Sequence, residues 1–469
     1  MIPAARLMTF QLLLHRKSSE GHHALDSPND WMRLRERMAI DRAPSRQLAW
    51  WRKMFAHKVP VDPCSLQPDH SLRLPRAEPD RAPKRWGPLL CTVPIYLLGL
   101  LRRTRHLQVT DPRDRVIALW NLAIDFDDDG SPPSYHISIV DHYVRLAMLL
   151  PWKCNSLQFL PQCKLRRKPN PDLTGLPSWA PDWGHPSSAE YFWLPFRAAG
   201  DLPMHPFPFQ QDMEDNIFHA RGFLYNKVKQ TLSQRDNALV PLPVIRDLFL
   251  SIIGASPDVD GILINLAQTL TGPSIGQLGL SSQFFSTAEK KLYMLILLCY
   301  SSITPGVRTQ DLLSYASGVY EYCRTTWTVS IRKFRRVCGL SQSMSHLLDF
   351  DHLTALIPNK VDRRQKFSHF IILLEKTLSS GCLGSSCFGQ FLITEGKAAV
   401  EPGDEIWILF GCPTPMLLRR KPPHFVVVSP AYIHDIMNGE AVNGFLKFAN
   451  HNSNNPGKTP GLVANISLY

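Results

Sequence analysis

The sequence predicts an α+β protein: a mainly helical body followed by a small C-terminal β-rich module. Three observations carry that expectation. Between residues 240 and 380, segment after segment places apolar residues at helical spacing. From about 387 to 450, short apolar runs are punctuated by the turn signals Pro402-Gly403-Asp404 and Pro422-Pro423. The 469 residues are 44% hydrophobic and 20% charged, which allows more than one domain and a sizeable core.

The elements follow in chain order. Residues 1–60 are basic and expected to be helical. Leu48, Trp51 and Phe55 fall at helical spacing between basic flanks; such a stripe marks a core-facing helix, with a membrane-surface helix as the alternative. Residues 61–94 are dense in proline and read as a linker or loop. A helical, Trp- and Pro-rich region is expected over 95–215. In it, Asp111 can cap a helix with Pro112 at the first helical position, followed by Arg113 and then Asp114 reaching back as in a capping box. That helix presents Val116, Leu119, Trp120 and Ala123. A second helix over 137–150 presents Ile139, Tyr143, Leu146, Leu149 and Leu150.

Residues 176–183 read Leu-Pro-Ser-Trp-Ala-Pro-Asp-Trp. The two prolines force an extended path, so Trp179 and Trp183 project as anchors while Asp182 accepts backbone N–H bonds. A mainly helical region is expected over 216–380. It opens with a short strand or hairpin over 216–228. Helices then follow over 242–253, 259–270, 288–301, 311–338, 346–356 and 365–378. The basic cluster 332–336 complements a helix C-terminus, with an acidic-ligand site as the alternative. Strands are expected over 391–394, 406–410, 416–418 and 425–429 in the module 387–450, and 451–469 is a tail.

Charge and cysteine usage narrow the function classes. The net charge of +12 favours acidic partners, but it is dispersed and no nucleic-acid module accompanies it, so no specific nucleic acid is expected. Peripheral membrane contact is a secondary expectation. None of the ten cysteines forms a C-x-x-C, and neither a disulfide framework nor a zinc ladder emerges; reduced thiols in a cytoplasmic protein fit. The apolar run 7–14 lacks a small-residue cleavage site, and the run 89–101 is too short to span a bilayer.

Enzyme signatures are missing: no G-x-S-x-G, P-loop, H-E-x-x-H or G-x-G-x-x-G. The acidic stretch 125–130 opens like a calcium loop, but His136 stands at the twelfth position and Pro132 and Pro133 break the geometry. His434, Asp435 and Glu440 have acid–base side chains, yet Gly439 beside them suggests a turn that closes the β-module. No catalytic residue, cofactor or metal ligand is expected.

Several of these stretches resemble the fungal heterokaryon-incompatibility family. Thr110-Asp111-Pro112-Arg113-Asp114-Arg115-Val116 resembles its T-D-P-R-D-x-V/I block, and 176–183 (with Leu176, Pro177, Trp179, Pro181, Asp182 and Trp183) its L-P-S-W-x-P-D-W block. Residues 403–411, with Gly403, Asp404 and Gly411, resemble G-D-x-V-x-x-L-x-G, and Leu417-Leu418-Arg419-Arg420 is similar to the L-R that follows. Residues 432–441, with Tyr432, His434, Met437, Gly439 and Glu440, resemble Y-V-H-G-I-M-D-G-E-A. The blocks keep the family's order over about residues 95–445. The departures are Ser134-Tyr135 for Asp-Tyr, Asn226 for an Asp, and a shortened 397–400 before Gly403.

The family's defining N-terminal domain, with A-L-S-Y-x-W-G and W-I-D-x-x-C-I-x-Q, has no counterpart among these residues. The expectation is therefore a C-terminal portion: a shortened gene model, a partner subunit or a decaying copy. The resemblance implies fungal non-self recognition and programmed cell death through contact with another protein, an incompatibility partner or an effector chain. The alternatives are a divergent Toll/interleukin-receptor-like domain that cleaves NAD, and an inert remnant.

Overall fold

The computed structural model describes residues 97–105, 107, 109–120, 123, 133–154, 156–165, 170–184, 196–204, 216–232, 242–253, 258–275, 284–304, 307–308, 311–312, 315–338, 354, 363–395, 398–453 and 463–469. The expected basic start, the Pro-rich linker, the acidic loop 125–130 and, apart from Thr354, the helix 346–356 lie outside the described residues. The chain divides into two compact units. Among the described residues the first takes 97–159, 170–176 and 180–184, and the second takes 160–165, 177–179 and everything from 196 onward.

The first unit contains α1 (Leu97–Thr104), α2 (Asp114–Trp120), α3 (Ile139–Cys154) and a 3-10 turn (Pro171–Leu173). Leu97, Leu100 and Leu101 of α1 are buried, as are Val116, Leu119 and Trp120 of α2 and Tyr143, Leu146, Ala147 and Leu150 of α3. These are the three-and-four spacings of helices with one apolar face. Leu149, expected on the buried stripe of α3, is exposed instead. Arg115 is buried, and its guanidinium donates to the carbonyl oxygens of Thr104 (3.3 Å), Arg105 (3.2 Å) and Leu107 (2.6 Å), so a side chain of α2 satisfies the open carbonyl end of α1.

In the second unit, β1 (Phe218–Thr231) precedes six helices: α4 (Leu242–Ile253), α5 (Val259–Ile275), α6 (Thr287–Ile303), α7 (Ala316–Thr325), α8 (Trp327–Cys338) and α9 (Arg363–Ser380). Every residue from Leu292 to Cys299 is buried, so α6 is apolar all round and lies inside the layer, packed by α4, α5, α7, α8 and α9. Ser286 and Glu289 form a reciprocal capping box at its start. The single helix expected over 311–338 is two. Thr325 and Thr326 turn their hydroxyls back onto the carbonyls of Glu321 (3.0 Å) and Tyr322 (3.0 and 2.7 Å), which ends α7 and lets α8 begin at Trp327.

The remaining strands are β2 (Gly381–Ser386), β3 (Phe391–Glu395), β4 (Glu405–Leu409), β5 (Met416–Lys421), β6 (His424–Tyr432) and β7 (Ala464–Leu468). A 3-10 turn (His434–Ile436) and α10 (Glu440–Ser453) lie between the last two. The order is β2-β3-β6-β5-β4-β1-β7, with β2 returning to β1 and β7 to β6. The pairings β1-β2-β3-β6-β5-β4-β1 therefore close a ring. Phe223, Val228, Leu392, Ile406, Ile408, Leu417 and Val428 belong to one apolar cluster, while Leu383, Phe391 and Ile393 join the helical core. Leu392 and its two neighbours thus face different cores, the period-two signature of a strand buried on both sides.

The stretch expected as a short strand or hairpin over 216–228 is one 14-residue strand. It stays extended because β7 takes residues 218–222, β4 takes 222–227 and β2 takes 228–231. The expected tail carries β7, and the sheet extends beyond the four strands read from sequence. With about half of the described residues helical and a seven-stranded sheet, this is an α+β protein. Among the described residues, no helix is long and apolar enough to cross a membrane.

Gly222 faces β4 so closely that an added Cβ would overlap the Ile408 carbonyl oxygen. Gly222→Ala should therefore destabilise the chain by about 2 kcal/mol, read as a lowered urea midpoint; an unchanged midpoint would show that the ladder yields freely.

Candidate functional site

The motif residues become structural joints. In the first unit, the Asp111 carboxylate accepts from the backbone N–H of Arg113 (2.9 Å) and grips its guanidinium in a two-pronged pair, Nε to Oδ1 at 3.0 Å and Nη2 to Oδ2 at 2.7 Å. Asp111 closes a turn ahead of α2, its carbonyl accepting the Asp114 N–H at 2.9 Å, so the expected cap with Pro112 at the first helical position gives way to a turn with Pro112 exposed. Asp114, expected to complete a capping box, instead accepts the Tyr135 hydroxyl. Arg113 also donates to the Tyr135 carbonyl at 2.7 Å and lies over the Tyr135 ring at 5.6 Å. Its guanidinium holds the Asp111 carboxyl below the usual carboxylate range.

The Leu-Pro-Ser-Trp-Ala-Pro-Asp-Trp block is shared between the units. On the first unit's side, Pro181 and Trp183 are buried. Asp182 turns the chain by accepting the Gly184 N–H at 2.8 Å, and its carbonyl accepts Arg105 Nη2 at 2.9 Å. Arg105 stands over the Trp183 ring at 5.4 Å. Leu176 follows the 3-10 turn, its N–H bonded to the Leu173 carbonyl at 3.0 Å.

On the second unit's side, Pro177 is buried and Trp179 is fully so. Trp179 donates Nε1–H to the Asn216 carbonyl at 2.8 Å and packs on Phe218 with ring centroids 5.2 Å apart. The Ser178 hydroxyl accepts the Val427 N–H of β6 at 2.9 Å and donates to the Tyr469 carbonyl, so it ties β6 to the residue after β7.

At the head of β4, Glu401-Pro402-Gly403-Asp404 is a tight turn closed by Asp404 N–H to the Glu401 carbonyl at 3.2 Å, with Gly403 at φ 94° as a type II turn requires. Asp404 is buried. Arg419 of β5 meets its carboxylate with Nε at 2.8 Å and Nη2 at 3.0 Å, reaches Glu401 with Nη1 at 3.0 Å, and donates to the Ala399 carbonyl at 2.6 Å. These acidic partners raise the Arg419 pKa. Gly411, at φ 75°, follows β4, where a Cβ would come within 2.8 Å of the Met204 backbone nitrogen.

The last block follows β6. Tyr432 is buried, with its hydroxyl 3.0 Å from His434 Nδ1 and over Gly272 of α5, where a Cβ would collide with it. Met437 is buried; its sulfur accepts the Ile433 N–H at 3.4 Å and its carbonyl accepts the Arg197 N–H at 2.8 Å. Gly439, at φ 89°, meets Gly200 backbone to backbone, and the exposed Glu440 accepts the Asn438 N–H at 2.7 Å at the start of α10. Asp435 accepts from Asn265 of α5 at 2.5 Å. The expected His434, Asp435 and Glu440 trio thus forms a turn docked on the helical layer. Burial lowers the His434 pKa and the nearby Lys290 charge adds to this, against opposing Asp435 and Glu440. Burial also lowers Lys290.

No protein-family model, curated protein or solved structure matches the chain. Among the described residues no group of His, Cys, Asp and Glu is placed to hold a metal ion. Burial pushes the Cys323 and Cys412 thiols up to about 12, so neither is a thiolate at neutral pH. Sequence reasoning passed over Arg115, Arg105, Ser178 and Asn265 as partners. Arg419 was visible in Leu-Leu-Arg-Arg, but only the β4–β5 register gives it Asp404.

Two expected outcomes follow from this geometry. Arg419→Ala strands a buried carboxylate and should cost about 3–5 kcal/mol, and Asp404→Asn/Arg419→Met should recover part of it; urea unfolding reads both, and a single-variant loss under about 1 kcal/mol would rule out a lock. The second concerns pH. With the folded His434 pKa below its ordinary 6.5, the unfolded chain takes the proton first, so stability falls as pH drops through that value. His434→Gln should show a smaller fall in melting temperature between about pH 7.5 and about pH 5.5, and an equal fall would remove His434 as the cause.

Proposed function

We propose that this chain is a scaffold of the heterokaryon-incompatibility type that acts in fungal non-self recognition, in the cytoplasm, by contact with another protein. One observation supports this reading above the others. Blocks far apart in sequence, from Ser178 to Glu440, supply the joints of the second unit: the Ser178 tie to β6, the Asp404–Arg419 pair and the Gly200–Gly439 contact. Residues spent on holding a frame are what a contact protein keeps; an enzyme would keep groups facing a cleft. The partner this implies is an incompatibility protein or an effector chain whose death-inducing activity the scaffold senses or restrains.

The test is made in living hyphae. A filamentous fungus expressing the full chain is fused with a strain lacking it, and fusion cells are scored for uptake of a vital dye. Dye uptake well above the vector control is expected, and Arg419→Ala should return it to that control. Fusion cells as viable as the control would end the proposal in favour of an inert remnant. Consumption of NAD by the purified chain would end it in favour of an enzyme.

A further inference from the structure

Helix α8 has two faces of opposite character. Trp327, Ser330 and Phe334 are buried, and α6 packs against this helix. Val329, Arg332, Lys333 and Arg336 are all exposed, Val329 at 62%. At 3.6 residues per turn these four fall within one arc about 100° wide. They make a continuous outward stripe of three cations around one apolar residue.

The stripe is not explained by the helix itself. Only Arg335 and Arg336 lie in the last turn, where the helix dipole favours cations; Arg332 and Lys333 come a turn earlier. The helix contains no Asp or Glu. Elsewhere in the helical layer, several basic side chains are neutralised. Arg324 and Arg364 share Glu321 at 2.8 and 2.6 Å, Arg246 pairs with Asp247 at 2.8 Å, Lys291 with Asp260 at 2.7 Å and Lys366 with Glu289 at 3.0 Å. Among the described residues, Arg332, Lys333 and Arg336 have no acidic partner. Like charges crowded on one face repel each other, so the fold gains nothing from them.

We propose that this face of α8 docks on an anionic phospholipid surface. The charge sign selects a phosphate- or carboxylate-bearing partner, and the shape selects among them. The cations stand on the ridge of a helix, with Val329 standing out beside them. An acidic peptide needs a groove to fix its carboxylates against such cations. Lipid headgroups move laterally to meet cations on a ridge, and Val329 reaches the apolar boundary beneath them. Duplex nucleic acid offers fixed phosphates and no apolar layer. The net charge of +12 adds long-range attraction to the same surface.

The test is co-sedimentation of the full chain with vesicles of phosphatidylcholine alone, or with about a third phosphatidylserine. Pelleting is expected only with the anionic vesicles, and it should fade as salt rises to about 0.5 M. At about fivefold per cation, Arg332→Glu/Lys333→Glu/Arg336→Glu should lower partitioning about a hundredfold or more. The matched variant Arg145→Glu/Lys229→Glu/Lys447→Glu removes the same charge from exposed positions elsewhere and should stay within about threefold of the native chain. Val329→Trp keeps every charge and should strengthen binding several-fold. Equal losses in the two charge variants would overturn the proposal, because net charge alone would explain them. So would an absence of anionic-vesicle binding, a Val329→Trp variant that binds no better, or binding to a short DNA duplex with none to vesicles.

Discussion

The second unit rests on one strand that never finds a single partner. β1 gives its first five residues to β7, its middle to β4 and its end to β2. A backbone N–H or C=O left unpaired in the interior costs as much as a lost hydrogen bond. A 14-residue strand surrounded by shorter ones is therefore tenable only if its partners change along its length. The register shifts between Leu224 and Asn226, and between Val228 and Gln230, are where that change is accommodated. The handover also removes open edges from the ring, which is how a small sheet avoids pairing with other chains.

Closure alone would leave β4 and β5 free to slip, since a one-residue shift exchanges every side chain between the faces. Asp404 and Arg419 forbid this. Their two bonds demand one relative position of the strands, and a slipped register would leave a carboxylate buried without a partner. The pair's net contribution to stability is modest, because desolvation offsets most of the attraction. Its larger effect is on which register forms. Ser178 acts in the same sense on β6, where its partner Val427 pairs with Leu418, the residue beside Arg419.

The helices were legible because their signal is local. Apolar spacing located α4, α5, α6 and α9 to within a few residues, and Thr325-Thr326 misled only because its break depends on hydroxyls choosing carbonyls of the preceding turn. The sheet was legible only in part. β4, β5 and β6 follow one another through short turns; Gly403 announces the turn that opens β4, and Pro422-Pro423 the one between β5 and β6. β1 and β7 join from far away in sequence, and nothing in the Phe218 to Val228 alternation reveals three partners. The same limit applied to the motif residues. Asp111 with Arg113 is a contact two residues apart and could be anticipated, whereas Arg419 with Asp404, or Tyr432 over Gly272, exists only after the sheet and helices meet.

That division bears on how a contact protein of this kind would choose its partner. Trp179, Trp183, Asp404, Tyr432 and Met437 are buried, so a partner cannot touch them. Outside the motif blocks the surface offers the ring of Phe388, 73% exposed on the turn between β2 and β3. That turn is held firmly, by Gly389 N–H to the Ser386 carbonyl at 3.0 Å and by Tyr225 to Gln390 at 2.9 Å. An exposed aromatic on a rigid turn loses little freedom when bound. The buried joints therefore fix where such a group stands on the surface.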